Sequence, residues 1–236
     1  MVFVFVFKKK KMPKWTRNFC IIPEGLYKGK PSRGLMKSIY RHKILPKISS
    51  GGSKTKDQKP RRRTWGLRHG KCVDKAIERW AKSGLKSRIT CVKLFISWCD
   101  QNNFQPIDAQ VCVLGRLDTR VATCVDLILK HTVTEQLVAV EVKTGYLHNT
   151  KKSGSLPFPL QHLGNTSRNH HCIQAVMGAH MYQKTFKKEI VPMLVYLRDN
   201  GRPDVIYLDI PHIPVELIWD KLSKTAHLSR KKRSIK

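Results

Sequence analysis

Asp126 interrupts the apolar run VATCVDLIL, and Glu141 and Lys143 interrupt LVAVEVKTG. A strand interior avoids such charges unless they are paired or hold a cation. Strand side chains alternate, so Glu141 and Lys143, two apart, share one face. If residues 132–135 form a four-residue hairpin loop, His131 lies opposite Gln136, and the same register sets Asp126 opposite Glu141. Their Cβ atoms would then be about 5 Å apart, near enough for both carboxylates to ligate one divalent cation. Oxygen-only ligation suits Mg2+ or Mn2+ and disfavours zinc, which prefers nitrogen and sulfur. A metal-bound water attacking phosphorus, with Lys143 stabilising the developing charge, is phosphodiester hydrolysis. The competing reading is a salt bridge from Lys143 to either acid on a solvated sheet face.

The elements that must hold these residues follow from periodicity. Trp65 to Ala81 carries Cys72, Val73, Ala76, Ile77 and Trp80 at helical spacing with Gly84 as its stop, and Thr90 to Cys99 repeats the pattern. Three strands are expected over 110–116, 120–131 and 136–146. A helix over 169–182 follows, then strands over 191–198 and 205–210 around DNGRPD, and a closing helix over 214–222. The order predicts an α/β fold with a central sheet flanked by helices.

Charge divides the 236-residue chain, whose formal net charge is +30. Residues 1–70 hold 20 Lys/Arg and 2 acids, residues 71–220 hold 19 and 14, and residues 221–236 hold 7 and none. The polar run SSGGSKTKDQK at 49–59 reads as a linker. The expected organisation is therefore a basic N-terminal arm and linker over 1–63, a domain over 64–224 and a basic C-terminal tail over 225–236. Basic ends on a near-neutral core suit a polyanion, DNA first and RNA second, gripped by counterion release. Arg61, Arg62, Arg63, Arg68 and Arg168 are the candidate phosphate contacts. Disordered tails with targeting roles are the plainer reading of the ends.

The apolar opening MVFVFVF is too short to cross a membrane and lacks the basic leader of a signal peptide. Seven cysteines without a C-x-x-C spacing read as reduced thiols in an intracellular protein. The basic clusters at Lys8–Lys11, Arg61–Arg63 and Arg230–Arg233 point to the nucleus first, while the acid-poor N-terminus also suits a mitochondrial address.

Asp126, fourteen intervening residues, then Glu141-Val142-Lys143 on successive strands resembles the PD-(D/E)-x-K nuclease superfamily, closest to its RecB-like and lambda-exonuclease-like branches. Val125 stands where the family pattern has Pro. The resemblance spans about residues 66–210 and implies a restriction-endonuclease-like core of helix, three strands, helix and strand. It also implies a Mg2+- or Mn2+-dependent deoxyribonuclease, an exonuclease foremost, acting in DNA replication, recombination or repair. A Gln on the helix after the E-x-K strand is part of the family pattern, and Gln174 in HHCIQAVMGAHMY fits, with Tyr182 a looser match for the accompanying Tyr. An upstream His joins the metal site in the RecB-like branch, and His69 in GLRHGKCVDKAIERW is similar.

The accessory residues also admit ordinary structural roles. Gln174 could cap polar surface, and His69 could be a helix-start histidine. Asp74 and Glu78, four apart among Lys71, Lys75 and Arg79, read as a solvated ion-pair face rather than ligands. The rival function is a non-catalytic, basic nucleic-acid-binding or packaging protein. The carboxylate pair separates the two, because it repels phosphate unless a cation lies between.

Overall fold

A computed structural model describes residues 21–22, 25–26, 33–46, 59–116, 121–144, 154–198, 204–206 and 211–234. The strands are β1 (Ile21–Ile22), β2 (Gly25–Leu26), β3 (Arg33–Gly34), β4 (Phe104–Leu114), β5 (Val121–His131), β6 (Leu137–Thr144), β7 (Val191–Leu197) and β8 (Asp204–Ile206). The helices are α1 (Leu35–Arg41), α2 (Lys59–Ser83), α3 (Thr90–Gln101), α4 (Ser167–Phe186) and α5 (Val215–Ser234). From α2 onward this is the order expected from the periodicity. No helix among the described residues is long and apolar enough to cross a membrane.

β1 and β2 pair with each other, and the remaining six strands form one mixed sheet. β5 is its hub. β4 runs antiparallel along β5 from Phe104–His131 to Leu114–Ala122. Along the other edge, β6 pairs with residues 127–130, and β3 pairs with Val121 and Ala122. β7 lies parallel to β6 across the α4 crossover, and β8 closes the far edge.

Helices cover both faces, so central strands read as apolar runs. On one face Val73, Ala76, Ile77 and Trp80 of α2, with Val92, Phe95 and Ile96 of α3, pack on Leu127, Leu129, Val138 and Val140. On the other, Ile173, Met177 and Met181 of α4 and Ile218, Trp219 and Leu222 of α5 pack on Val113, Val125, Ile128 and Ala139. The Trp219 ring lies so close to Gly115 that a Cβ there would be 2.4 Å from it, so only glycine fits beneath the indole. α2 stops at Gly84, which has φ +68° and donates its N–H to Trp80 O, a left-handed backbone that glycine adopts without a Cβ penalty.

Two expected boundaries are corrected. Residues 33–46 belong to the domain and not to the arm expected over 1–63. β3 joins the sheet, and Leu35, Ile39, Ile44 and Leu45 are all at most 1% exposed in the core. The basic composition around them masked a short apolar helix. The C-terminal tail expected from 225 is instead the continuation of α5 to Ser234, since AHLSRKKRS contains no helix breaker and Lys and Arg are good helix formers. α2 likewise starts at Lys59, inside the expected linker.

Candidate active site

The hairpin register is the expected one. Leu127–Val140, Ile128–Ala139, Leu129–Val138 and Lys130–Leu137 are partners, and His131 N–H donates to Gln136 O at 2.9 Å. The ladder ends at Leu127–Val140, one pair short of Asp126 and Glu141. There the strands part, and the Asp126 carboxylate takes over as acceptor: Val142 N–H donates to Asp126 Oδ2 at 2.9 Å. Asp126 and Glu141 therefore meet at a fork, not as a regular cross-strand pair.

A kink produces the fork. Gln110, between two residues of β4 that pair with β5, has φ +55°, a left-handed backbone uncommon outside glycine. On either side of it the faces exchange: Ala109 packs toward α2 and α3, and Val111 toward α4. β5 switches in step, with Val125 facing α4 and Leu127 facing α2. Gln110 Nε2 donates to Asp126 Oδ1 at 3.4 Å. Simple alternation does not foresee this flip.

Glu141, 5% exposed, receives an ion pair from Lys143 Nζ. Lys143 Nζ also donates to Gln174 Oε1 at 3.2 Å. Gln174 is thus brought to the site by α4, beside the strand that carries the E-x-K triplet. Lys143 has Tyr196 as its β7 partner, and the Tyr196 hydroxyl is 2.9 Å from Nδ1 of His171, one helical turn before Gln174. The Tyr40 hydroxyl of α1 lies 3.0 Å from His170 Nδ1, and His170 Nε2 lies 2.8 Å from Asn165 Oδ1.

The electrostatics describe too much negative charge in a dry place. Burial and then the Asp126 charge push Glu141 up to about 8, against the pull of Lys143. Burial raises Asp126 as well, opposed by Lys143 and by the Val142 N–H. Asp74 of α2 is pushed up to about 6, by burial and then by Asp126. Burial alone would lower Lys143, but Glu141 and Asp126 hold it above its ordinary value. With all three acids ionised, one ammonium leaves two charges uncompensated, so a proton or a cation must enter.

Asp74 is the residue that sequence reasoning misplaced. Asp74 and Glu78 are both half-buried on one side of α2, but their partners differ: Glu78 pairs with Lys82 at 2.9 Å, while Asp74 is coupled to Asp126, Glu141 and Lys143. The available signal was Gly70, one turn earlier, where a Cβ would approach Thr144 Oγ1 to 3.2 Å. That close approach brings α2 against the end of β6. Tyr182 is also corrected. It is a core residue whose ring packs at a tilt against Phe186, 4.6 Å between centroids, and Tyr40 and Tyr196 are the tyrosines near Lys143.

His69 continues the core-facing stripe of α2 one turn before Val73. Among the described residues no three His, Cys, Asp or Glu side chains are grouped closely enough to hold a metal ion. Arg68 and Arg168 are exposed on α2 and α4. Arg61, Arg62 and Arg63 fall in the first turns of α2, with side chains outside the described residues. Lys8–Lys11 also lie outside them. Compared with known proteins, the chain matches no family model and no curated protein.

Proposed function

We propose that this protein is a metal-dependent deoxyribonuclease that hydrolyses phosphodiester bonds, built on a restriction-endonuclease-like core. The observation that carries the reading is the convergence of Asp126, Glu141, Lys143 and Gln174, from β5, β6 and α4, on the fork between two strands. A buried carboxylate pair with raised proton affinity and one lysine has little structural purpose, because it opposes folding at neutral pH.

Asp126 and Glu141 would hold Mg2+ or Mn2+. A two-carboxylate set fits these ions, which keep waters and substrate phosphates as their remaining ligands and need no all-protein cage. When bound, the ion supplies an acidified water and neutralises phosphate charge. Lys143 is poised to stabilise charge developing on phosphorus, and Gln174 Oε1 orients its ammonium. Gln110 and the Val142 N–H fix the Asp126 carboxylate. Arg68, Arg168 and the Arg61–Arg63 cluster supply phosphate contacts without reading sequence. The basic clusters suit nuclear import, with DNA replication, recombination or repair as the setting, and a free DNA end as the preferred substrate.

The test is incubation of linear duplex, circular duplex and single-stranded DNA with Mg2+ or with a chelator, for wild type and Asp126→Ala. Chelator-sensitive cleavage, lost in Asp126→Ala, is expected. The non-catalytic nucleic-acid binder is the second reading, favoured by the net charge of +30, which suffices for polyanion binding without any chemistry. It becomes the better one if no substrate is cut.

A further inference from the structure

Cys112 and Cys124 stand directly opposite each other on β4 and β5, and their sulfurs are 2.8 Å apart. Gly115 N–H donates to Val121 O at 2.8 Å, which marks that pair as one that exchanges main-chain bonds. Alternating along the ladder, residues 112 and 124 occupy a pair that does not, where Cα atoms approach to about 4.5 Å. That spacing is inside the roughly 4.4–6.8 Å that a disulfide bridges. Both residues are partly exposed, whereas Cys91, Cys99 and Cys172 are buried in the core and Cys72 is exposed on α2. The hydrolytic site uses neither thiol, although Cys124 precedes Asp126 by two residues and Cys112 follows Gln110 by two.

We propose that Cys112 and Cys124 form a reversible thiol–disulfide site whose oxidant is a low-molecular-weight disulfide such as oxidised glutathione. The Cys112 thiolate attacks one sulfur of the oxidant, forming a mixed disulfide and releasing one glutathione thiolate. Cys124 then loses its proton and attacks Cys112 Sγ, forming the cross-strand bond and releasing the second glutathione thiolate. Two protein thiols are oxidised, one external disulfide is reduced, and the two protons pass to the departing thiolates. Closing the bond draws the sulfurs from 2.8 Å to about 2.05 Å, a small movement for two strands already in register. The link clamps the tip of the β4–β5 hairpin one step from the Gln110–Asp126 contact.

The test treats the folded full-length chain with oxidised glutathione, then digests it without reductant and maps disulfides by mass spectrometry. Expected are the loss of two thiols per chain, a Cys112–Cys124 linked peptide, and its disappearance on adding dithiothreitol. Cys124→Ser should trap glutathione on Cys112, and Cys112→Ser should give no internal link. The proposal is overturned if wild type accumulates only unresolved glutathione adducts, stays fully reduced, or links either residue to another cysteine. None of these readouts depends on hydrolysis, so failure here leaves the nuclease reading untouched.

Discussion

Replacing Glu141 by Gln should make the metal-free protein more stable at neutral pH. The folded protein holds the Glu141 proton up to about pH 8, against an ordinary value of 4.5. An acid whose folded value is raised contributes nothing unfavourable below its unfolded value, and the folded state loses stability as pH climbs toward the folded value. Each pH unit in that window costs about 1.4 kcal/mol, so at pH 7 the accumulated penalty is about 3 kcal/mol. Gln keeps the shape and a carbonyl oxygen for Lys143 but cannot ionise. Glu141→Gln should therefore gain about 3 kcal/mol at pH 7 in chelator, or about 6–12 °C in melting temperature for a domain of this size. The two proteins should converge near pH 4.5. Mn2+ at a thousandfold excess over Kd should reverse the order, since only wild type gains binding free energy, about 4.1 kcal/mol, which exceeds the penalty. Thermal and urea unfolding across pH 4.5–8, with and without Mn2+, gives the numbers. A Glu141→Gln protein that is less stable at pH 7 in chelator, or a gain that ignores pH, refutes the reasoning.

Lys143→Ala should bind DNA almost normally, because it removes one of 46 Lys/Arg charges, while cleavage falls by about a hundred- to a thousandfold; filter binding and single-turnover kinetics separate the two. Mn2+ affinity should rise about tenfold per pH unit below pH 8, with one proton released per ion as Glu141 ionises, measurable by calorimetry in buffers of different ionisation enthalpy. A flat profile would remove Glu141 from the metal site. Ile39→Ala should cost about 2–5 kcal/mol in urea unfolding, since Ile39 is fully buried. A loss below about 0.5 kcal/mol would return residues 33–46 to the status of an arm.

Kinking a sheet at its most acidic point has a chemical consequence. A regular ladder would give Val142 N–H a backbone acceptor and leave Asp126 on one face or the other. The left-handed Gln110 instead turns both strands over at that position, and the Asp126 carboxylate becomes part of the hydrogen-bond network between strands. Asp126 is held by the main chain of the very triplet it must cooperate with. Asp126→Asn should preserve that acceptor, and Asp126→Ala should not.

Local pattern determined a great deal here. Alternation placed Glu141 and Lys143 on one face, the polar interval 132–135 set the register of the β5–β6 hairpin, and the stripe from Val73 to Trp80 fixed the core face of α2. These are short-range properties, governed by strand period, turn length and helical repeat, and each can be counted in the chain. The rest needed residues far apart in sequence. Asp74 reads as a solvated acid until the glycine contact at Gly70 presses α2 on the end of β6 and couples it to Asp126. Tyr196, His171 and Tyr40 gather around Lys143 only because β7, α4 and α1 fold together. Residues 33–46 look like more basic arm until β3 finds the free edge of β5. Burial supplies the physical reason: it makes like charges interact strongly and gives a polar side chain its partners, and it is a property of packed elements that no single segment carries.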